Sequence, residues 1–354
     1  MPCAARLIRV FTPSFGDTAD VNAQNLTVKE VVARLDPQRF HVTLLCEQEA
    51  DPRIVARPNT KVWQWRKRGN TLLTLFRMLA DIPDIYFFPR EGPLDARFFQ
   101  LRRWLHWHTA VVTYMVSGGV SQQPPPPGQL RNLREANAVY GNCRYITRIL
   151  TDKLGFRAGT IYDGIDRRYF FPPISRRDRT PLTVLFAGSF RPYKRVDLVI
   201  KQAAQWPEVQ FRLCGRGEEE ESCRRLASEL GCSNVHFLGQ LGQADLGEEM
   251  RNADVFLFPS QLEGHPQVLL QAAGCGLPSI AMSSYLPDAV VNGETGFLVN
   301  GENELSEKLD LLLADTALRA RMSQAAVEHA AAFDWNKVAT DWARAFKQVM
   351  GERA

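Results

Sequence analysis

Short apolar blocks along the chain alternate with longer stretches in which apolar positions recur at helical spacing. LIRVFTP (7–13) reads as a first strand, VNAQNLTVKEVVARLD (21–36) as a helix and FHVTLLCEQ (40–48) as a second strand, which is a βαβ start. The pattern returns with PDIYFFP (83–89) and TAVVTYMVSGG (109–119), then a helix over RYITRILTDKLG (144–155) and a strand over AGTIYDGID (158–166). It restarts with LTVLFAGSF, a helix through VDLVIKQAAQ, the strand VQFRLCGRG, a helix through EEESCRRLASELG, then NVHFLGQL, a short helix and ADVFLFPS. Strands that alternate with helices predict α/β architecture with doubly wound parallel sheets, one in each half.

Composition sharpens this into two domains. With 354 residues, 45% apolar and 23% charged, the chain is too long for one typical core and apolar enough for two. RRYFFPPISRRDRTP (167–181) carries proline and charge without periodicity and is the expected linker. QQPPPPG (122–128) is a polyproline surface loop. The seven cysteines are an odd set with no CxxC pair, which disfavours a disulfide framework or zinc site and suits a reducing compartment. MPCAARLIRVFTPSFGD turns charged too soon for a signal peptide or membrane span, so the expected location is cytoplasmic, or peripheral at the inner membrane face.

Charge is divided unevenly. Residues 1–170 hold 24 Lys/Arg against 15 Asp/Glu, and 171–354 hold 19 against 24, so an anionic partner belongs to the first half. Along ARFFQLRRWLHWH (96–108), Phe98, Leu101, Leu105 and His108 recur at helical spacing while Arg102, Arg103 and His106 lie elsewhere. With KVWQWRKR (61–68) this suggests contact with an anionic membrane or a lipid-linked acceptor. The competing reading is a helix packing its aromatics on its own domain. Nothing points to nucleic acid.

In open parallel sheets ligands bind beyond the carboxyl ends of the strands. Three such loops stand out: GSFRPYKR (188–195), GRGEE (215–219) and QLEGHPQ (261–267). The first sets Arg191, Lys194 and Arg195 beside a helix N-terminus, where an anion is favoured. A lysine about 4 Å from a phosphate contributes on the order of 4 kcal/mol at intermediate dielectric. A helix end gives roughly 0.3–2 kcal/mol, so the side chains would dominate.

The run NVHFLGQL…ADVFLFPSQLEGHPQVLLQAAGCGLPSIAMSSYLPDAVVNGETGFLV (234–299) closely resembles the C-terminal half of family-4 retaining nucleotide-sugar glycosyltransferases of the GT-B fold. LFAGSFRPYKRVDLVI (185–200), IYDGIDRRYFFP (161–172) and AAFDWNKVATDW (331–342) add to the resemblance. It implies two Rossmann-like domains facing a central cleft: 1–170 for the acceptor, 171–334 for the donor, and a helix over 335–354 crossing back to the first. It further implies a hexosyl transfer from a nucleoside diphosphate sugar to a glycan, lipid-linked or small-molecule acceptor, with no cofactor and no metal. Glu263 resembles the first acid of the family's Glu-x7-Glu element, and Gln271 takes the place of the second. Gly264, His265, Gln267 and Val268 would face sugar and diphosphate with backbone N–H groups. Lys194 resembles the diphosphate-binding lysine, supported by Arg191, and Gly188, Ser189, Gly215 and Arg216 lie where the nucleotide is held.

Departures accompany the matches. The arginine that follows the first glycine of the loop is Ser189 here, Gln271 is neutral, and the strand 111–119 ends on Val116 and Ser117 where relatives often carry histidine. His106 and His108 lie upstream. PSFGDTAD keeps Gly16 of a Gly-Gly loop, so Gly16, Asp17 and Ser117 are the acceptor-side candidates. These departures keep two alternatives in view: a non-catalytic nucleotide-sugar-binding or partner subunit, and a nucleotide-sugar epimerase on the same scaffold.

Overall fold

The computed structural model describes residues 6–17, 23–65, 70–116, 119, 123–174 and 180–351. It divides into two compact units, 1–163 with 335–354, and 164–334. Unit 1 begins β1 (Ile8–Phe15), α1 (Ala23–Arg34), β2 (Phe40–Cys46), α2 (Pro52–Val55), β3 (Thr60–Gln64), α3 (Asn70–Ala80) and β4 (Ile85–Phe87). It continues α4 (Pro93–Trp104), β5 (Ala110–Met115), α5 (Pro127–Glu135), β6 (Ala138–Gly141), α6 (Arg144–Arg148) and β7 (Ala158–Thr160). All seven strands pair parallel in the order β3-β2-β1-β4-β5-β6-β7.

Because helices cover both faces of this sheet, neighbouring strand residues are buried in opposite directions. Val10, Ile85, Phe87 and Val112 join Val28 and Val32 of α1 in one core. Phe11, Tyr86 and Val111 join Leu75, Met78, Phe98 and Phe99 in the other. This is why the strands read as continuous apolar runs and not as a clean alternation.

Unit 2 holds β8 (Thr183–Ala187), α7 (Val196–Gln205), β9 (Gln210–Cys214), α8 (Glu220–Glu229), β10 (Val235–Gly239), α9 (Gln243–Asn252) and β11 (Val255–Phe258). It closes with α10 (Gln267–Gly274), β12 (Ser279–Met282), β13 (Gly296–Val299), α11 (Glu302–Ala314) and α12 (Thr316–Ala330). Its six parallel strands run β10-β9-β8-β11-β12-β13. Strand order therefore reverses between β8 and β11, the position where a doubly wound sheet opens a crevice at its carboxyl edge.

Two expected boundaries shift. Residues 164–170 belong to unit 2, not to the first domain: Ile165 N–H donates to Phe333 O at 2.8 Å, Arg251 donates to Tyr169 O at 2.6 Å, and Phe170 is fully buried. Of the expected linker, residues 175–179 lie outside the described residues. The strand expected over 158–166 ends at Thr160, and the helix expected over 144–155 is α6 followed by one π-helical turn, Ile149–Lys153. The last helix, α13 (Trp335–Val349), packs on α1 in unit 1, where Trp335, Val338, Trp342 and Phe346 enter the same core as Phe40 and Phe87.

Candidate functional site

The loops after β8 and β11 meet at the switch point of unit 2. After β8 the chain makes a 3-10 turn, Pro192–Lys194, and Arg195 adopts φ 52°, which redirects the backbone into α7. Arg195 then pairs with Asp197 at 3.0 Å and Glu302 at 2.9 Å, so it fastens the turn and is not the third site cation its sequence position suggested. Arg191 is exposed; its N–H bonds Ser189 O at 3.0 Å and its carbonyl takes the Lys194 N–H at 2.9 Å.

Lys194 turns back across the sheet edge. Its ammonium forms an ion pair with the Glu263 carboxylate and lies 5.0 Å from the Phe258 ring centroid and 5.4 Å from that of Tyr193. Ser260 Oγ donates to Glu263 Oε1 at 2.6 Å, and the Gln261 N–H donates to Tyr193 O at 2.8 Å. Both charged side chains are mostly buried, 12% and 14% exposed, so their pairing is screened far less than a surface pair would be. Ser260 was not singled out from the sequence; its role appears only once the two loops are seen in contact.

Helix α10 begins immediately after this carboxylate, at Gln267, with Pro266 in the capping position. The amide groups of a helix's first turn have no intrahelical acceptor, and they share with Lys194 a preference for negative charge. The His265 ring is buried against Phe333 at 5.7 Å, and burial pushes its pKa down to about 4, so the side chain is a neutral packing group.

On the other side of β8 a cavity of about 310 Å³ is lined by Gly188, Ser189, Gly215, Arg216 and Val268, with Gln240 and Leu241 from beyond β10. The strand ends are laced together: Gly188 N–H to Cys214 O at 2.9 Å, Gly215 N–H to Gly239 O at 2.7 Å, and Phe190 N–H to Arg216 O at 2.9 Å. Gly215 has φ 138°, and a Cβ there would lie 1.8 Å from Gly188 O, so only glycine allows the approach.

Two polar groups near these loops await partners. Gln271 Oε1, on α10, is buried without a hydrogen-bond donor, and so is the hydroxyl of Tyr285 on the turn after β12. Burial, with the Glu263 charge adding to it, raises the Tyr285 pKa well above the usual tyrosine range. A buried acceptor and a buried hydroxyl that no protein group meets can be satisfied by a ligand or an ordered water. Tyr285 carried no sequence signal, because SSYLP names neither its burial nor its neighbour.

The unit 1 candidates are placed differently. A Cβ at Gly16 would lie 2.4 Å from Leu44 Cδ1, so the glycine serves close packing. Asp17 Oδ1 already accepts from Cys46 Sγ at 2.8 Å, Glu47 N–H at 3.0 Å and Gln48 N–H at 2.8 Å. Ser117 lies outside the described residues. His106 and His108 are exposed ahead of Ala110, at the amino end of β5, the opposite end from the carboxyl edge where ligands bind.

Residues 168–329 match the family model of glycosyl transferases group 1. D-inositol 3-phosphate glycosyltransferase of Mycobacterium tuberculosis is 31% identical over 270 residues, covering 70% of this chain and 56% of that protein. The chain thus spans little more than half the length of the curated relatives it matches. Among solved structures, sucrose-phosphate synthase from Thermosynechococcus elongatus superposes with a TM-score of 0.78 at 21% identity, over 98% of this chain and 100% of that one. HepE of Anabaena in complex with UDP-glucose gives 0.73 at 17% identity, over 96% and 99%. A glycosyltransferase from Rickettsia africae gives 0.79 at 12% identity, over 98% and 100%. The chain has the GT-B fold in its two parallel-sheet units, and its residues 168–329 match the glycosyl transferases group 1 family.

Proposed function

We propose that the chain is a retaining, metal-independent glycosyltransferase that moves a sugar from a nucleoside diphosphate sugar to a glycan, lipid-linked or small-molecule acceptor. The observation that carries this reading is the Lys194–Glu263 pair, which joins the two loops at the switch point directly ahead of α10. Breaking the bond between sugar and phosphate leaves charge on the departing diphosphate, and fixed cations and N–H dipoles lower that barrier. An ammonium has three donors, so Lys194 can hold Glu263 and still offer N–H groups to a phosphate. Glu263, braced by Ser260, would then be steady enough to orient sugar hydroxyls. The cavity beside Gly188, Gly215 and Arg216 is the place for the nucleoside.

In the retaining step the sugar C1–O(phosphate) bond breaks and the C1–O(acceptor) bond forms on the same face, with the acceptor's proton passing to the departing phosphate oxygen. Uridine diphosphate sugars are the first donors to test, since HepE has been captured with UDP-glucose. Product analysis by mass spectrometry should show transfer or slow donor hydrolysis. Glu263→Ala should lower turnover by roughly a hundredfold with the fold intact. Lys194→Ala should weaken UDP more than uridine, because the ammonium addresses the phosphates. Isomerised donor, binding without turnover, or a Glu263→Ala protein as fast as the parent would overturn the reading.

A further inference from the structure

Helix α3 exposes an apolar face that nothing among the described residues covers. Leu72 and Phe76 are 66% and 70% exposed, and Leu73 and Leu79 are 44% and 47%. Their spacing puts them on one side of the helix, while Thr74, Leu75 and Met78 are buried on the other. Large apolar side chains on a helix normally face a core; these four face away from it. Four large apolar side chains gathered in this way exceed the scattered exposure of an ordinary surface.

The surroundings of that face are cationic. Between α3 and the edge strand β3 lies a groove of about 890 Å³, walled by Trp63, Leu73 and Phe76 and flanked by Lys61 and Arg77. Arg77 lies 5.6 Å from the Trp63 ring centroid. Lys61 is about half exposed and pairs with Asp81 at 2.9 Å, an acid that also lines the groove and takes Arg9 at 3.3 Å, while Arg9 pairs with Asp84 at 3.0 Å. Residues 1–170 as a whole carry 24 Lys/Arg against 15 Asp/Glu.

We propose that α3 and the adjoining β3 margin dock unit 1 on an anionic lipid bilayer. The helix lies in the plane of the interface with Leu72, Phe76 and Leu79 toward the acyl chains and Lys61 and Arg77 at the headgroups. Charge decides for a bilayer over a second copy of the chain, because two copies of a basic face would set like charges together. The assignment also moves the membrane contact expected over 96–108. Phe98 and Phe99 of α4 are fully buried in the unit's own core, leaving Trp104 and Leu105 exposed only at that helix's end.

Flotation with vesicles tests the proposal without any need for activity. The full chain should float with vesicles of phosphatidylcholine and phosphatidylglycerol, less with phosphatidylcholine alone, and less as salt is raised. Phe76→Glu should lower partitioning at least about tenfold. Its thermal midpoint and circular dichroism should match the parent's, since the side chain is mostly exposed. Leu72→Gln should give a smaller loss in the same direction. No flotation by the parent, or equal flotation by Phe76→Glu, overturns the proposal. So does a concentration-dependent dimer in lipid-free buffer that Phe76→Glu abolishes, which would make the face a contact between copies.

Discussion

Gln271 occupies the place of the second acid in a Glu-x7-Glu element, and its side-chain oxygen is buried with no donor to meet it. An amide oxygen can accept from a ribose hydroxyl, although without the added strength of a charge. The difference between charged and neutral acceptors is of order 1 kcal/mol, which loosens binding several-fold without abolishing it. Losing a negative charge near a diphosphate offsets part of that. Gln271→Ala should therefore weaken a ribonucleoside diphosphate several-fold, and Gln271→Glu should change affinity modestly. Titration calorimetry with ribo- and 2′-deoxyribonucleoside diphosphates checks this. If parent and Gln271→Ala both bind the two ligands alike, the residue does not meet the ribose. Glu263 and Lys194 could be picked out from the sequence because each sits in a loop whose residue order is itself distinctive. Ser260 and Tyr285 could not, since what marks them is a hydrogen bond and a burial created by distant segments.

At the scale of elements, strands flanked on both sides by helices announced themselves, as VVTYM and VFLF do, because burial on both faces leaves an uninterrupted apolar run. The missed elements have physical reasons. β3 lies at the sheet edge with every residue partly or fully exposed, so TKVWQ carries no buried alternation. β6 is four residues with only Val139 and Gly141 buried. In α3 Leu72, Leu73, Phe76 and Leu79 face outward, so its apolar period does not mark a core. The turn after β9 shows in the sequence only as the loop GRGEE, and its demand for glycine comes from the strand beside it. Gly215→Ala should push the ends of β8 and β9 apart, cost roughly 2–3 kcal/mol of stability, and weaken nucleotide binding in the adjoining cavity. Denaturant midpoints and calorimetry measure both; an unchanged midpoint would mean that the Gly188–Gly215 approach is looser than its geometry.

For the whole molecule, two doubly wound sheets followed directly from the alternation of the sequence, but the division at residue 163 did not. Ile165 reads as the end of a first-domain strand and Phe170 as a linker residue until Phe333 and Gly274 are seen against them. The return of α13 to unit 1 makes a separable prediction. Trp342 is fully buried there, with Phe87, Tyr114 and Tyr140 rings 4.7 to 5.4 Å away. Trp342→Ala should cost about 3–5 kcal/mol, confined to unit 1. Hydrogen exchange should lose protection over 1–163 and 335–354 while 164–334 keeps it. Equal loss in both units would show that they do not hold their stability separately.

That same helix sets an order of events while the protein is being made. A nascent chain that has released residues 1–163 from the ribosome still lacks α13, and at ~5–20 residues per second the wait lasts roughly 10 s or longer. Throughout it, Val28, Val32, Phe40 and Phe87 keep one side uncovered. Residues 164–334, contiguous in sequence, can close before unit 1 does, so of the two units the one whose synthesis begins earlier is completed later and is the one a chaperone has more time to meet.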